Sequence, residues 1–172
     1  MKFYDIDDEG NEKILHIGGP GSIFPLFYSF ESKPQVDGFY ATLRRSEFLL
    51  IPLTDFRARL QTDSDFSFKM LAWLAQEMDH TVLRLKSMER SSARHKLLES
   101  LIYLNEENTV KMMRPGWTKV SFPISQQTLA DLAGLTRETV NAVLQELDKE
   151  HYIRIPKKMT LEINARKLQN LK

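Results

Sequence analysis

The sequence has no cysteine among its 172 residues. This excludes a disulfide scaffold, a cysteine-ligated zinc site, a cysteine-held iron–sulfur cluster and a thiol nucleophile. Long apolar runs are also missing, and a stretch such as Phe48 to Ile51 is far too short to span a bilayer. The residues after Met1 form no apolar segment like that of a secretory signal. We therefore expect a cytoplasmic protein.

Excess charge of one sign is lacking as well. The formal net charge is +1, which divides into −2 over residues 1–60, +1 over residues 61–124 and +2 over residues 125–172. A strong electrostatic footprint for nucleic acid is much more basic than this. The composition alone therefore does not predict a nucleic-acid partner, and the placement of the charges must decide.

The sequence also lacks recognisable catalytic and metal-binding motifs. The histidines His16, His80, His95 and His151 have no partner at metal-ligand spacing on one helix, and no acidic cluster accompanies them. The sequence contains no nucleophile elbow, phosphate-binding loop or zinc-peptidase motif. We therefore predict that the protein is not an enzyme and that it has neither a metal site nor a cofactor.

The first sixty residues have the pattern of β structure. Residues 2–17 alternate around a turn at Gly10, which predicts a hairpin. Residues 38–53 predict two more strands around a turn near Arg45 and Ser46, and Thr54 is the predicted cap of a short helix over residues 55–60. Four or five strands are few for a closed barrel. Residues 1–60 are thus predicted to form an incomplete β-roll.

A long helix is predicted over residues 61–90, capped by Asp63 or Ser64. It carries two apolar stripes, and one of them has the alternating spacing of three and four residues that is typical of a coiled coil. This seam predicts pairing with a second copy, whereas the alternative is that both stripes are core within one chain. The predicted seam consists of Leu71, Leu74, Met78, Thr81, Leu85 and Met88, and the second stripe of Phe66, Met70, Trp73 and Val82.

The last domain, residues 91–172, contains a predicted helix-turn-helix. After a helix over residues 94–105, Ser125 caps a helix over residues 126–133 and Thr136 caps a second one over residues 137–150. Gly134 lies at the tight turn between them. Two short strands, at residues 152–155 and 159–163, flank Pro156, Lys157 and Lys158 and predict a wing. The predicted fold class is α+β: a partial β-roll, a long dimerisation helix and a C-terminal winged helix-turn-helix domain.

These motifs carry a resemblance to a known family. The stretch LAGLTRETV, with the wing and the final ARKLQNL helix, resembles the winged-helix DNA-binding domain of the CRP/FNR family of bacterial transcription regulators. Residues 1–56 are similar to the second half of that family's cyclic-nucleotide-binding-type β-roll, so the chain is a fragment, has a misplaced start or is a shortened member. The resemblance implies a homodimer on a pseudo-palindromic double-stranded DNA operator, RNA polymerase as a partner and a small-molecule effector.

The residues of the second helix independently favour DNA binding. Arg can bind guanine, Glu can accept from cytosine and Asn can pair with adenine, and wing lysines suit backbone phosphates. The alternative is a merely solvated polar face. Many family members have a guanine-reading arginine where this chain has Ala142, which predicts a different, more A·T-rich half-site or lower specificity. The predicted DNA contacts are Gln126, Gln127, Thr128, Thr136, Arg137, Glu138, Asn141, Gln145, Lys157 and Lys158.

The resemblance implies no cyclic AMP site, because the family's phosphate cassette of Gly-Glu and a later Arg is missing. The matching positions are Gly21-Ser22 and Gln35-Val36-Asp37-Gly38, where Asp37 would repel an anion. We expect a different effector, with candidate contacts at Phe24, Leu26, Phe27, Phe39, Trp73, Asp79 and His80. The alternative for these aromatics is core packing. Two further alternatives for the whole protein are an effector-independent DNA-binding protein and a helix-turn-helix protein-interaction module.

Overall fold

A computed structural model describes residues 1–25, 37–88 and 92–170. The helices are α1 (Leu53–Thr62), α2 (Ser64–Met88), α3 (Ala93–Glu107), α4 (Gln126–Ala133), α5 (Arg137–Lys149) and α6 (Ala165–Gln169). The strands are β1 (Lys2–Ile6), β2 (Glu12–Ile17), β3 (Phe39–Ala41), β4 (Thr109–Lys111), β5 (Trp117–Val120), β6 (Ile153–Arg154) and β7 (Glu162–Asn164). The mixture of helices with small sheets confirms the predicted α+β class.

The N-terminal sheet has three strands in the order β2-β1-β3. β1 and β2 pair antiparallel, from Lys2 opposite Ile17 to Ile6 opposite Glu12, which confirms the predicted hairpin. Its turn depends on Gly10, whose φ of +83° is accessible to glycine at little cost. The N–H of Gly10 donates to the carbonyl of Asp7 at 2.8 Å and closes the turn.

Two strands are predicted in residues 38–53, and the prediction of the second strand is wrong. Only β3 forms there, paired with β1, and residues 42–52 are irregular. The physical reason is that no described strand lies beside this segment to satisfy its backbone. Its apolar side chains are consequently exposed, with Leu49 at 87% and Leu50 at 89%. The predicted Thr54 cap is also wrong, because α1 begins at Leu53 after Pro52 and has no side-chain cap.

The long helix α2 starts where the sequence predicts. Oδ1 of Asp63 accepts a hydrogen bond from the N–H of Phe66 at 3.0 Å, which caps the helix and lowers the pKa of Asp63. Beneath the helix, Phe56 of α1 and Met70 of α2 form a buried apolar pair. Partly buried side chains pack around this pair: Ile23, Leu60, Phe66, Trp73 and Leu74. Three of the four residues of the predicted second stripe therefore serve as core within the chain.

The C-terminal part is a winged-helix arrangement of α3 to α6 on a four-stranded sheet in the order β4-β5-β7-β6. The wing strands β6 and β7 are shorter than predicted, and residues 155–161 connect them. One apolar cluster fills this domain and also takes in Ile14 and Ile17 from β2, each only 1% exposed. The hairpin and the helix-turn-helix domain thus share a core. Within the described residues, no helix is both long and apolar enough to cross a membrane.

Candidate nucleic-acid interface

The helix-turn-helix is formed by α4, a three-residue turn and α5. Oγ of Ser125 accepts from the N–H of Thr128 at 2.9 Å, and Oγ1 of Thr136 accepts from the N–H of Thr139 at 3.2 Å, so both predicted caps are confirmed. Gly134 ends α4 in the left-handed region at φ +63°, as predicted from its position. Ala130, fully buried, leaves room for the close approach of α4 and α5. Local sequence therefore determines the relative position of the two helices.

Helix α5 has one buried face and one exposed face. Val140 is fully buried and Leu144 is 2% exposed, and both belong to the domain core. On the opposite side every predicted polar residue is exposed, as is Ala142. The helix therefore presents a polar surface with hydrogen-bond donors and acceptors of the kind that reads base edges in a major groove. The exposed residues are Thr136, Arg137, Glu138, Asn141, Ala142 and Gln145.

The wing lysines Lys157 and Lys158 are exposed in the connection between β6 and β7. Among the described residues, no salt bridge engages either ammonium group. Long cationic side chains on a hairpin tip suit phosphates, which position a protein on DNA without reading sequence. The two lysines thus lie outside the helix that is predicted to read DNA.

The three predicted residues at the start of α4 lie in different surroundings. Nε2 of Gln126 donates to Oδ1 of Asn141 at 2.8 Å, which links the two helices. Nε2 of Gln127 instead donates to Oδ1 of Asp131 on its own helix at 2.7 Å. Thr128 is half-buried, and its hydroxyl lies 2.9 Å from Oγ of Ser125 within the cap. Of these three hydrogen bonds, the one from Gln126 reaches the predicted reading helix.

The far end of α5 is held by a cluster that sequence reasoning missed. Arg94, in the first turn of α3, donates to both carboxylate oxygens of Glu150 at 3.0 and 2.8 Å. This pairing raises the pKa of Arg94 and lowers that of Glu150. The Tyr152 ring lies between two cations, with Arg94 at 5.8 Å and Lys167 at 4.2 Å from its centroid. A pair 56 residues apart has no local sequence signal.

Helix α4 also faces the N-terminal hairpin. Burial raises the pKa of Asp131, and nearby Glu12 raises it further, whereas the hydrogen bond from Gln127 and the ammonium groups of Lys2 and Lys13 lower it. These four groups surround the carboxyl: Glu12, Lys2 and Lys13 belong to the hairpin and Gln127 to α4. The helix-turn-helix domain is therefore in electrostatic as well as apolar contact with the hairpin.

The predicted dimer seam divides into two groups. Leu71, Met78 and Leu85 are 64%, 70% and 59% exposed, and Thr81 is exposed with its hydroxyl donating to the carbonyl of Glu77. Leu74, in contrast, is half-buried against the Phe56–Met70 cluster of its own chain, and the side chain of Met88 lies outside the described residues. The prediction also missed exposed residues at the same alternating spacing. The resulting exposed stripe on α2, called here the α2 stripe, consists of Phe68, Leu71, Ala75, Met78, Val82 and Leu85.

Those predicted effector contacts that the structure describes are not brought together in one cavity. Phe24 lines an open cleft with Phe48, and their rings meet edge to face at 5.6 Å. Phe39 stacks on Tyr4 at the sheet edge, and Trp73 packs on the α1–α2 cluster. Asp79 is exposed and His80 half-buried along α2. Leu26 and Phe27, like Gln35 and Val36 of the cassette region, lie outside the described residues.

Within residues 1–25, 37–88 and 92–170, no three side chains of His, Asp or Glu gather where they could hold a metal ion. His16 is placed near Glu77 of α2 and Tyr103 of α3, with its Nδ1 3.5 Å from a Glu77 carboxylate oxygen and 3.3 Å from the Tyr103 hydroxyl. His16 therefore lies where β2, α2 and α3 meet.

Residues 95–171 match the Crp-like helix-turn-helix domain. Among curated proteins, the chain is similar to the cAMP-activated global transcriptional regulator CRP of Haemophilus influenzae, with 22% identity over 93% of this chain and 70% of the relative. Among solved structures it is similar to FixK2 from Bradyrhizobium japonicum, with a TM-score of 0.72 and 19% identity over 99% of this chain and 82% of that one.

A second solved structure is the c-di-GMP responsive global regulator CLP of Xanthomonas campestris, with a TM-score of 0.66 and 18% identity over 94% of this chain and 79% of that one. Structures at this level of identity establish the fold. The curated relative is named a transcriptional regulator and CLP a global regulator. Residues 95–171 therefore carry a Crp-like helix-turn-helix domain, and the chain has a fold similar to that of CRP/FNR family transcription regulators.

Proposed function

We propose that the protein is a homodimeric, sequence-specific DNA-binding regulator that acts in the cytoplasm. The observation that carries the proposal is the division of α5, which buries Val140 and Leu144 and exposes Arg137, Glu138 and Asn141 over its first turns. In helix-turn-helix proteins the residues at this end of the second helix face the base edges. The caps and the Gly134 turn hold that face in place.

The α2 stripe supports the homodimer. It is an apolar surface whose members recur at the alternating spacing of a coiled-coil seam over residues 68–85. Phe68 is 73% exposed and Met78 is 70% exposed, so burial of the stripe would have a large hydrophobic gain. A second copy has the same stripe, and a two-fold axis would bring the two into register. The two recognition helices would then enter successive major grooves, about 34–36 Å apart.

An effector other than cyclic AMP completes the proposal. The curated relative is cAMP-activated by name and a structural relative is c-di-GMP responsive, so similar proteins respond to different molecules. In this chain the glutamate expected for the ribose and the arginine expected for the phosphate are replaced, and the exposed Asp37 would repel an anion. An effector would act by binding one dimer geometry more tightly than another. RNA polymerase is the proposed protein partner at the promoter.

The test is selection of binding sites from random DNA by the full chain. The expected result is a pseudo-palindromic consensus with two half-sites one helical turn apart, bound by a dimer. Absence of DNA binding, or binding that does not weaken with salt, would contradict the proposal and favour a protein-interaction module. Calorimetry with cyclic AMP is expected to show no micromolar binding and no change in operator affinity. Operator affinity that ignores every candidate metabolite would favour the effector-independent alternative.

A further inference from the structure

The hydrogen bond between Gln126 and Asn141 connects the supporting helix to the reading helix. Gln126 is the first residue of α4 and Asn141 is the fifth residue of α5, and the Nε2–Oδ1 distance of 2.8 Å is that of a good hydrogen bond. Asn141 is exposed, whereas Gln126 is half-buried beside the Ser125 cap. The bond therefore links an exposed side chain of α5 to a half-buried side chain of α4.

The bond also gives the Asn141 amide a direction. A carboxamide has one acceptor oxygen and one donor NH₂ group. Because Oδ1 of Asn141 is engaged by Gln126, the NH₂ group of Asn141 is the part left for another partner. In a major groove an NH₂ donor matches acceptor atoms, namely N7 and O6 of guanine, N7 of adenine and O4 of thymine. The amino groups of cytosine and adenine need an acceptor instead.

We propose that Gln126 is a positioning residue for base recognition, which orients Asn141 so that its NH₂ group faces the base. This inference rests on the proposed function, in which α5 reads the major groove. It predicts guanine or thymine at the position opposite Asn141, because these bases offer an acceptor in the major groove and no amino group beside it. It also gives the DNA contact predicted at Gln126 a role that affects sequence preference.

The next residue offers a matched control. Gln127 has the same side chain on the same helix turn, but it bonds to Asp131 of α4 and not to α5. A change of Gln127 therefore alters the glutamine content and the local surface of α4 equally, without touching Asn141. If the two glutamines merely contacted phosphates, their replacement would have similar effects on all DNA sequences.

Replacement of Gln126 by glutamate inverts the hydrogen-bond polarity. An ionised carboxylate can only accept, so in Gln126→Glu the NH₂ group of Asn141 would turn toward the new side chain. Oδ1 of Asn141 would then face the groove and match the amino group of cytosine or adenine. The added negative charge weakens binding to all DNA, but that common loss cancels when base preferences are compared within one variant.

The experiment measures the affinity of the full chain for four operators that differ only at the base pair read by Asn141, identified by Asn141→Ala. Gln126→Ala is expected to reduce the preference at this pair about tenfold, the effect of one lost hydrogen bond. Gln126→Glu is expected to shift the preference from guanine or thymine to cytosine or adenine. Gln127→Ala is expected to leave the preference unchanged. A double variant of Gln126 and Asn141 should lose no more preference than Asn141→Ala alone.

Two outcomes would overturn the inference, and they differ in what else they contradict. If Asn141→Ala changes the preference but both Gln126 variants keep it and weaken all duplexes alike, Gln126 only contacts phosphate and the proposed function stands. If Asn141→Ala changes no base preference at any position while the chain still selects its operator, then Asn141 does not read bases. That result also contradicts the assignment of reading roles on α5. Thermal unfolding of each variant shows whether all of them are folded.

Discussion

The hydroxyl of Tyr103 accepts a hydrogen bond from the backbone N–H of Ile17 at 2.8 Å, across 86 positions of sequence. Tyr103 is 6% exposed on α3, and Ile17 ends β2. The amide of Asn108 reinforces the contact by donating from Nδ2 to the carbonyl of Ile17 at 3.2 Å. Both partners are buried, so this is the polar part of the shared core between the hairpin and the helix-turn-helix domain.

Tyr103→Phe is expected to destabilise the protein by about 1–3 kcal/mol, because it leaves the buried N–H of Ile17 without this acceptor. The ring remains, so the loss is not one of apolar packing. Denaturant unfolding measures the change. The control is Tyr152→Phe, at a half-buried ring that contacts Arg94 and Lys167 and not the hairpin. An equal loss of unfolding free energy in the two variants would show that the hydrogen bond to Ile17 does not account for the effect of Tyr103→Phe.

Met78→Glu is expected to give a monomer that still folds but binds the operator weakly. Met78 is 70% exposed in the single chain, so a charge there disturbs no core, whereas it would be buried in a paired α2 stripe. Sedimentation measures the oligomeric state, and circular dichroism shows whether the variant is folded. Leu74→Ala is the control, since Leu74 packs on the Phe56–Met70 cluster of its own chain. Its truncation should lower the stability of the fold without causing the dimer to dissociate. A Met78→Glu protein that stays dimeric would exclude the α2 stripe as the interface.

Asp131→Asn is expected to make the protein more stable at neutral pH. Burial raises the folded-state pKa of this carboxyl above its ordinary value of 3.8. At pH values between 3.8 and the raised pKa, the folded state therefore binds more protons than the unfolded state. Stability therefore falls as pH rises through that window, and the full loss persists at pH 7. The gain should be small, because water screens a partly buried group.

The asparagine can still accept from Gln127, so the variant removes the charge and keeps that bond. Urea unfolding at pH 7 and at pH 3.5 makes the measurement, and the difference between variant and parent should shrink at the lower pH. Asp148→Asn, at an exposed carboxylate of α5, serves as the control. A gain that is the same at both pH values would contradict the explanation by burial.

Loss of both wing lysines is expected to weaken binding to all DNA sequences alike. If Lys157 and Lys158 each neutralise one phosphate, the slope of log affinity against log salt should become shallower by about 1.8 per protomer. Glu138→Ala should instead change sequence preference, by about 1–3 kcal/mol for the preferred base. Affinities on the operator and on a scrambled duplex over a salt series separate the two effects. A changed operator-to-scramble ratio in the lysine variant alone would reverse the assigned roles.

The parts of the fold that follow from local chemistry were predictable from the sequence. The caps Ser125 and Thr136 and the turn at Gly134 each act within a few residues, and all three are confirmed. The alternation of residues 2–17 likewise predicts its own hairpin. Recognition of α5 needs only the 3.6-residue period that separates Val140 and Leu144 from Arg137 and Asn141.

What the sequence could not show depends on contacts between distant segments. Two sets of residues on α2 satisfy the same heptad spacing, and only the packing of α1 shows that Leu74 belongs to the core while Phe68 and Val82 are exposed. The expected strand at Phe48 lacks a described neighbour, which no local pattern reveals. The Gln126–Asn141 pair has a signal in retrospect, since two facing helices carry amides near their crossing.

The shared core has a consequence for how this protein can be divided. A DNA-binding fragment cut at the start of α3 would lose Ile14 and Ile17, and the part of the domain core that they cover would be exposed to water. Such a fragment should be less soluble than the winged-helix fold alone would lead one to expect, even with every DNA-contacting residue present. A useful excised domain would have to retain the β1–β2 hairpin or carry polar replacements on the uncovered surface. The smallest portable DNA-binding unit of this chain therefore includes a strand from its first twenty residues.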